Sequence, residues 1–96
     1  MDKKDRSMLL EAIKNSDILP SGQKNILSII CSSEYPVSAK QIEKVIGFTK
    51  QTVNFSIKAL LTRNFIVREK DGVFVYKPNQ DRSIELIKRY KKTLAK

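Results

Sequence analysis

Residues 50–63 combine side chains that can read a base edge with the spacing of one helical face. On a helical wheel, the inward side carries four apolar residues: Val53, Ile57, Leu60 and Leu61. The opposite side carries a mixed set: Gln51, Phe55, Lys58 and Thr62, with Asn54 at its edge. Glutamine and asparagine can bind adenine through two hydrogen bonds, and lysine favours guanine or phosphate. The face therefore suits DNA bases, although any amphipathic helix also exposes a solvated polar face.

Two further candidates lie in the first turn of this helix. Lys50 points inward by its phase, but a long side chain at a helix start can still reach outward. Thr52 lies on the other flank, and Thr49 can cap the helix. Free backbone N–H groups and a partial positive charge at this end favour a phosphate ligand.

Phe55 does not fit a plain solvated face, because phenylalanine is seldom placed at the centre of one. Three interpretations remain open. The ring can contact a thymine methyl group in the major groove. A protein partner can cover it, or the wheel phase is wrong and Phe55 is buried against the preceding helix.

The elements before this helix predict a helix-turn-helix. Ser38 and Gln41 have the S-x-x-Q spacing of a capping box, which predicts a helix start after the extended segment 34–37. The predicted inner face of that helix consists of Ile42, Val45 and Ile46. Gly47 then permits a left-handed turn residue, and Asn64 can do the same after the second helix.

A β-hairpin is predicted to follow directly. Phe65, Ile66 and Val67 start a strand, Asp71-Gly72 is a strong turn signal, and residues 73–76 return until Pro78. Three basic residues surround the turn: Arg68, Lys70 and Lys77. A basic hairpin beside a DNA-reading helix can contact phosphates or the minor groove, whereas a plain surface hairpin would only close the core.

Three more helices are predicted outside this unit. The first spans about residues 5–15, with Asp5 as cap, and the second about 22–33, with Ser21 as cap. The last spans about 80–94 and repeats Ile84, Ile87, Tyr90 and Leu94 at helical spacing, with Leu86 to one side and Glu85 able to pair with Arg89. The two terminal helices must bury their apolar stripes, either in a symmetric dimer, which we favour, or on their own domain.

Length and charge narrow the class of protein. The 96 residues suit one domain, divided into an N-terminal helix (1–20), a central unit (21–78) and a basic C-terminal helix (79–96). The net charge is +9, yet residues 1–39 are neutral, so the excess lies on residues 40–96. This distribution favours a polyanionic partner over a merely solubilising surface.

The residue types also exclude several functions. Cys31 is the only cysteine and histidine is absent, which excludes an intramolecular disulfide, a Cys/His zinc site and histidine-based catalysis. Next to Ile29 and Ile30, Cys31 is expected to be a buried structural thiol. No apolar run could span a membrane and no signal peptide is evident, so we expect a cytoplasmic protein. From the residue types we also expect neither a cofactor nor a metal.

The run from Ile26 to Tyr76 resembles the winged helix-turn-helix of the MarR and ArsR regulators, through Pro36-Val37-Ser38, Thr49 to Val53 and Phe65 to Arg68. The resemblance implies a mainly α fold with a small β-hairpin and extra terminal helices. It also implies DNA contacts from a set of helix and wing residues: Lys50, Gln51, Thr52, Asn54, Lys58, Arg68 and Lys70. Ser38 and Phe55 complete the candidate set.

Two positions depart from the family pattern. Phe55 stands where the family often has arginine, and Asn64 where it usually has glycine. The terminal helices are shorter than is typical of the family, so a small-molecule effector pocket between long dimer helices is not implied. We therefore expect a homodimeric transcriptional regulator, not an enzyme, that binds double-stranded DNA sequence-specifically. The alternatives are a winged-helix module that binds protein and a DNA-binding protein of replication or partition.

Overall fold

A computed structural model describes residues 3–95, except for the side chain of Lys3. Its elements in chain order are α1 (Lys3–Lys14), α2 (Ser21–Ser32), β1 (Val37–Ser38), α3 (Ala39–Ile46), α4 (Lys50–Thr62), β2 (Ile66–Asp71), β3 (Val73–Pro78) and α5 (Gln80–Leu94). The mainly helical fold with a winged helix-turn-helix and two terminal helices is confirmed.

The hairpin belongs to a three-stranded antiparallel sheet with the order β1-β3-β2. Val37 pairs with Tyr76, and Ser38 pairs with Val75. The sequence predicted only that this segment is extended, because two residues are too few to show the alternation of a strand. The pairing fixes the start of α3 against the base of the hairpin.

One core lies between the helices and the sheet. Its fully buried side chains come from α1, α2, α3, α4 and the chain entering β2: Leu9, Ile13, Ile26, Leu27, Ile30, Ile42, Val53, Leu60, Phe65 and Ile66. Helix α1 packs against both α2 and α5. The terminal helices therefore bury part of their apolar stripes within their own chain.

Two predicted caps are wrong. Asp5 lies inside the first turn of α1, because that helix already begins at Lys3. Ser21 is the first residue of α2, and the cap position is Pro20, which has no side-chain hydrogen bond to offer. Proline suits this helix start because its fixed φ fits the extended backbone found there.

The inner faces of two helices also differ from the prediction. Val45 of α3 is 71% exposed, since this eight-residue helix buries only Ile42 completely. In α5 the buried residues are Ser83 and Leu86. Of the predicted stripe, Ile87 and Tyr90 pack half-buried against the core, whereas Ile84 and Leu94 are exposed. The Ser83 hydroxyl donates to the Asn79 carbonyl at 2.9 Å, so this small side chain is buried with its polar group satisfied.

The ion pairs of α5 are different from the expected one. Glu85 pairs with Arg82 rather than with Arg89. Arg89 instead reaches across to Asp17, with 3.0 Å between guanidinium nitrogen and carboxylate oxygen. This contact joins α5 to the loop after α1.

Candidate nucleic-acid interface

The capping box at Ser38 sets the start of α3. The Ser38 hydroxyl accepts from the Gln41 backbone N–H at 3.2 Å, and the Ser38 N–H donates to Gln41 Oε1 at 2.8 Å. These bonds confirm the predicted box and give Ser38 a structural role. A contact between Ser38 and DNA stays a prediction.

The turn between α3 and α4 also forms as its residues predict. Gly47 has φ 72°, a left-handed conformation that disfavours side chains, and its N–H donates to the Glu43 carbonyl at 3.0 Å. Thr49 then caps α4 by accepting from the Thr52 N–H at 3.2 Å, and its hydroxyl donates to the Thr52 hydroxyl at 2.9 Å. These contacts fix the direction in which α4 leaves the turn.

Helix α4 presents the predicted face to solvent. Val53, Ile57 and Leu60 are buried and Leu61 is half-buried. All the candidates on this helix are exposed, together with Thr62: Lys50, Gln51, Thr52, Asn54, Phe55 and Lys58. The helix contains no acidic residue, so its outer face is cationic and polar.

Phe55 lies on this outer face and is 73% exposed, so the interpretation that it is buried is wrong. The regular helix keeps the phase of the wheel, which places the ring outward. A shallow groove of about 350 Å³ adjoins it, lined by Phe55, Lys58, Ala59, Thr62 and Arg63. The ring therefore forms part of an apolar patch on a polar helix.

Arg63, the residue after α4, is turned inward despite its charge. Its Nη2 donates to the Ile18 carbonyl at 2.7 Å, and its Nη1 donates to Gln23 Oε1 at 3.4 Å. The guanidinium carbon lies 5.1 Å from the centre of the Phe65 ring. Arg63 thus ties the end of α4 to the segment before α2, a role that its charge and its place in the sequence did not predict.

The left-handed residue expected after α4 is present. Asn64 has φ 61°, and its N–H donates to the Leu61 carbonyl at 3.0 Å. The chain reverses there and enters β2. The substitution of asparagine for glycine thus preserves the backbone conformation.

The wing carries a cationic cluster built on one aromatic ring. The Arg68 guanidinium carbon lies 4.3 Å from the centre of the Phe74 ring, and the Lys70 Nζ lies 5.9 Å from it. Lys70 pairs directly with Phe74 in the sheet, so all three side chains share a face. Lys77 forms an ion pair with Glu69 on the other face. The two candidate cations of the wing are therefore held on one side of the hairpin, and Lys77 on the other.

Cys31 is buried in the core, and this desolvation raises the pKa of its thiol to about 12. The thiol is therefore protonated at neutral pH, as expected of a structural cysteine.

The described residues offer neither a candidate metal site nor a candidate membrane span. Among residues 3–95, no group of three or more metal-ligating side chains occurs. Within that range, none of the helices is both long enough and apolar enough to cross a membrane.

A helix-turn-helix that exposes a cationic second helix and leads into a β-hairpin defines the winged-helix fold. Comparison with protein families shows that residues 16–73 match the model of the MarR family. The chain belongs to the MarR family and has a winged-helix fold, which confirms the MarR part of the resemblance.

Two solved structures are similar to this chain. One is a protein of unknown function from Listeria innocua Clip11262, with 29% identity and a TM-score of 0.63; the match covers 88% of this chain and 61% of that one. This chain thus spans about three-fifths of the length of that protein. The other is the ST1889 protein from the thermoacidophilic archaeon Sulfolobus tokodaii, with 17% identity, a TM-score of 0.57 and 96% coverage of both chains. The second likeness concerns the fold alone. No curated protein matches the sequence.

Proposed function

We propose that this protein binds double-stranded DNA sequence-specifically and regulates transcription. The observation that carries the proposal is the outer face of α4, where the exposed side chains are polar, cationic or aromatic and none is acidic. In this arrangement α4 enters the major groove and the wing lies beside it.

The candidate residues take different roles. Gln51 and Asn54 read base edges, where adenine offers matching hydrogen-bond groups, and Lys58 binds guanine or phosphate. Lys50 and Thr52 lie at the start of α4, where the helix dipole adds to phosphate binding. The wing supplies Arg68 and Lys70, which reach phosphates or the minor groove. Ser38 contacts the backbone of the DNA from the start of α3.

A homodimer would let two copies of α4 read a palindromic site. Ile84 and Leu94 remain exposed on α5 after this helix has packed on α1, and they offer an apolar surface to a second copy. Light scattering at micromolar concentration tests this assembly. A monomer mass would contradict the dimer, but it would not contradict DNA binding by a single copy.

A protein-binding role is the second candidate, because the exposed Phe55 ring and its groove also suit a protein partner. The two roles differ in their response to DNA and salt. Binding of duplexes with an affinity that falls steeply as salt rises supports the DNA role, since phosphate contacts release counterions.

Selection of bound sequences from a random duplex pool, followed by fluorescence anisotropy, tests the DNA role. Gln51→Ala and Lys58→Ala should each weaken specific binding by about 1–3 kcal/mol without unfolding the protein. Lys14→Ala is the matched control, because it removes an exposed positive charge at the end of α1. The proposal fails if no duplex binds at low salt, or if both α4 variants bind like the control.

A further inference from the structure

The outer face of α4 contains an apolar patch between its polar side chains. The groove beside Phe55 is lined by Lys58, Ala59, Thr62 and Arg63 as well as by the ring itself. The Thr62 hydroxyl donates to the Lys58 carbonyl at 2.9 Å, so its hydrogen is not available to donate to a ligand. Arg63 directs its guanidinium to Ile18 and so does not add a polar group to the patch.

The position of the patch ties it to the base-reading residues. Phe55 follows Gln51 by one helical turn and precedes Lys58 and Ala59 by another, so these side chains form one stripe along α4. A ligand that binds along this stripe and contacts Gln51 therefore also contacts the Phe55 ring.

The charge of the stripe decides which occupant fits. Lys50 and Lys58 lie on α4 on either side of Phe55, and the helix has no acidic residue. A polyanionic duplex complements this charge. In its major groove, the methyl group of thymine is the apolar feature of a base edge that a phenylalanine can contact.

We propose that Phe55 determines specificity by contacting the methyl group of a thymine next to the base read by Gln51. The proposal rests on the proposed function, DNA binding through α4. It explains why an aromatic ring occupies the centre of a DNA-reading face where burial does not require it.

Replacing thymine by deoxyuridine tests the contact, because only the methyl group is lost. In the duplex selected by the protein, each thymine is replaced in turn and the dissociation constant is measured by anisotropy. At one position per half-site, the wild type should bind about three- to fivefold more weakly, the effect of losing one buried methyl group.

A double-mutant cycle assigns that effect to Phe55. Phe55→Ala should weaken binding to the thymine duplex, and the thymine-to-uridine change should then have no further effect. Phe55→Leu should retain part of the methyl preference. Because Phe55 is largely exposed, both variants should unfold at the wild-type urea concentration.

Three outcomes are distinguishable. If no position responds to uridine, or if Phe55→Ala keeps the full preference, the thymine contact is overturned while DNA binding stands. In the latter case, unchanged affinity of Phe55→Ala for every duplex would further show that the ring does not contribute to DNA binding. If neither duplex binds the wild type, the proposed function itself fails.

Discussion

Replacing Arg63 by alanine should destabilise the protein more than replacing any exposed basic residue of α4. Arg63 is half-buried and connects the end of α4 to the Ile18 carbonyl, 45 residues earlier in the chain. The backbone at Arg63 has φ −88° and ψ 3°, a conformation that alanine adopts as readily as arginine. The variant therefore removes contacts and leaves the helix end intact.

The size of the effect follows from those contacts. The 2.7 Å hydrogen bond to Ile18 has a charged donor, and such bonds contribute about 1.5–3 kcal/mol. The cation–π contact between Arg63 and the Phe65 ring adds about 0.5–1 kcal/mol. The other cation on this ring, the Arg82 guanidinium at 4.3 Å from the ring centre, is unaffected by the substitution. The 3.4 Å bond to Gln23 is long and adds little. We expect a loss of about 2–4 kcal/mol from the free energy of unfolding.

Urea denaturation followed by far-UV circular dichroism measures this loss. With a slope of about 2 kcal/mol per molar urea, the midpoint should fall by about 1–2 M. Arg63→Lys should recover only a part, because an ammonium group cannot reproduce the planar fork. Lys58→Ala, one turn earlier and exposed, should stay within about 0.5 kcal/mol of the wild type. An Arg63→Ala variant as stable as Lys58→Ala would refute the proposed tie between α4 and the α1–α2 segment.

Three other measurements probe the wing, an ion pair and the core. Phe74→Ala should weaken DNA binding about two- to fivefold, because Arg68 loses its stacking surface, with stability nearly unchanged; equal affinity would show that the ring does not position the wing. Arg89 beside Asp17 lowers the pKa of that carboxyl below its usual 3.8, so the pair stabilises the fold above pH 3.8 and loses this effect as pH falls through the folded-state pKa. In Asp17→Asn, the urea midpoint should therefore fall less than in the wild type as the solution is acidified. An unchanged dependence of the midpoint on pH would contradict the role of this ion pair. Cys31, whose pKa is raised to about 12, should resist a thiol reagent at about pH 8 until urea unfolds the protein; fast labelling of the native state would contradict its burial.

The parts of the site that depend on local signals could be predicted from the sequence. Thr49, Gly47 and Asn64 act through their own backbone neighbours, so the limits of α4 and the turn before it followed from residue type. The exposed face of α4 followed from helical periodicity, because 13 residues give almost four turns to define a phase. Which of the exposed residues contact DNA stays a prediction.

The parts that depend on distant partners could not be predicted. The inward side of α5 is set by its packing on α1, which selects Ser83 and Leu86 over the more apolar-looking stripe of Ile84 and Leu94. Strand β1 exists only because β3 offers it a partner. The inward role of Arg63 depends on an acceptor that lies 45 residues earlier in the chain, so its sequence neighbours do not indicate it.

The contacts of individual basic residues reduce the number of cations that are available to bind phosphates. Between residues 40 and 77, Arg63 is used within the fold and Lys77 is paired with Glu69, so neither is a free phosphate ligand. The candidate cations of helix and wing are then four: Lys50, Lys58, Arg68 and Lys70. If each neutralises one phosphate, the slope of log affinity against log salt is about −3.6 per copy bound to B-DNA. A slope near about −8, as the net charge of +9 would suggest, would mean that the tail or α3 also binds phosphates and that the interface extends beyond α4 and the wing.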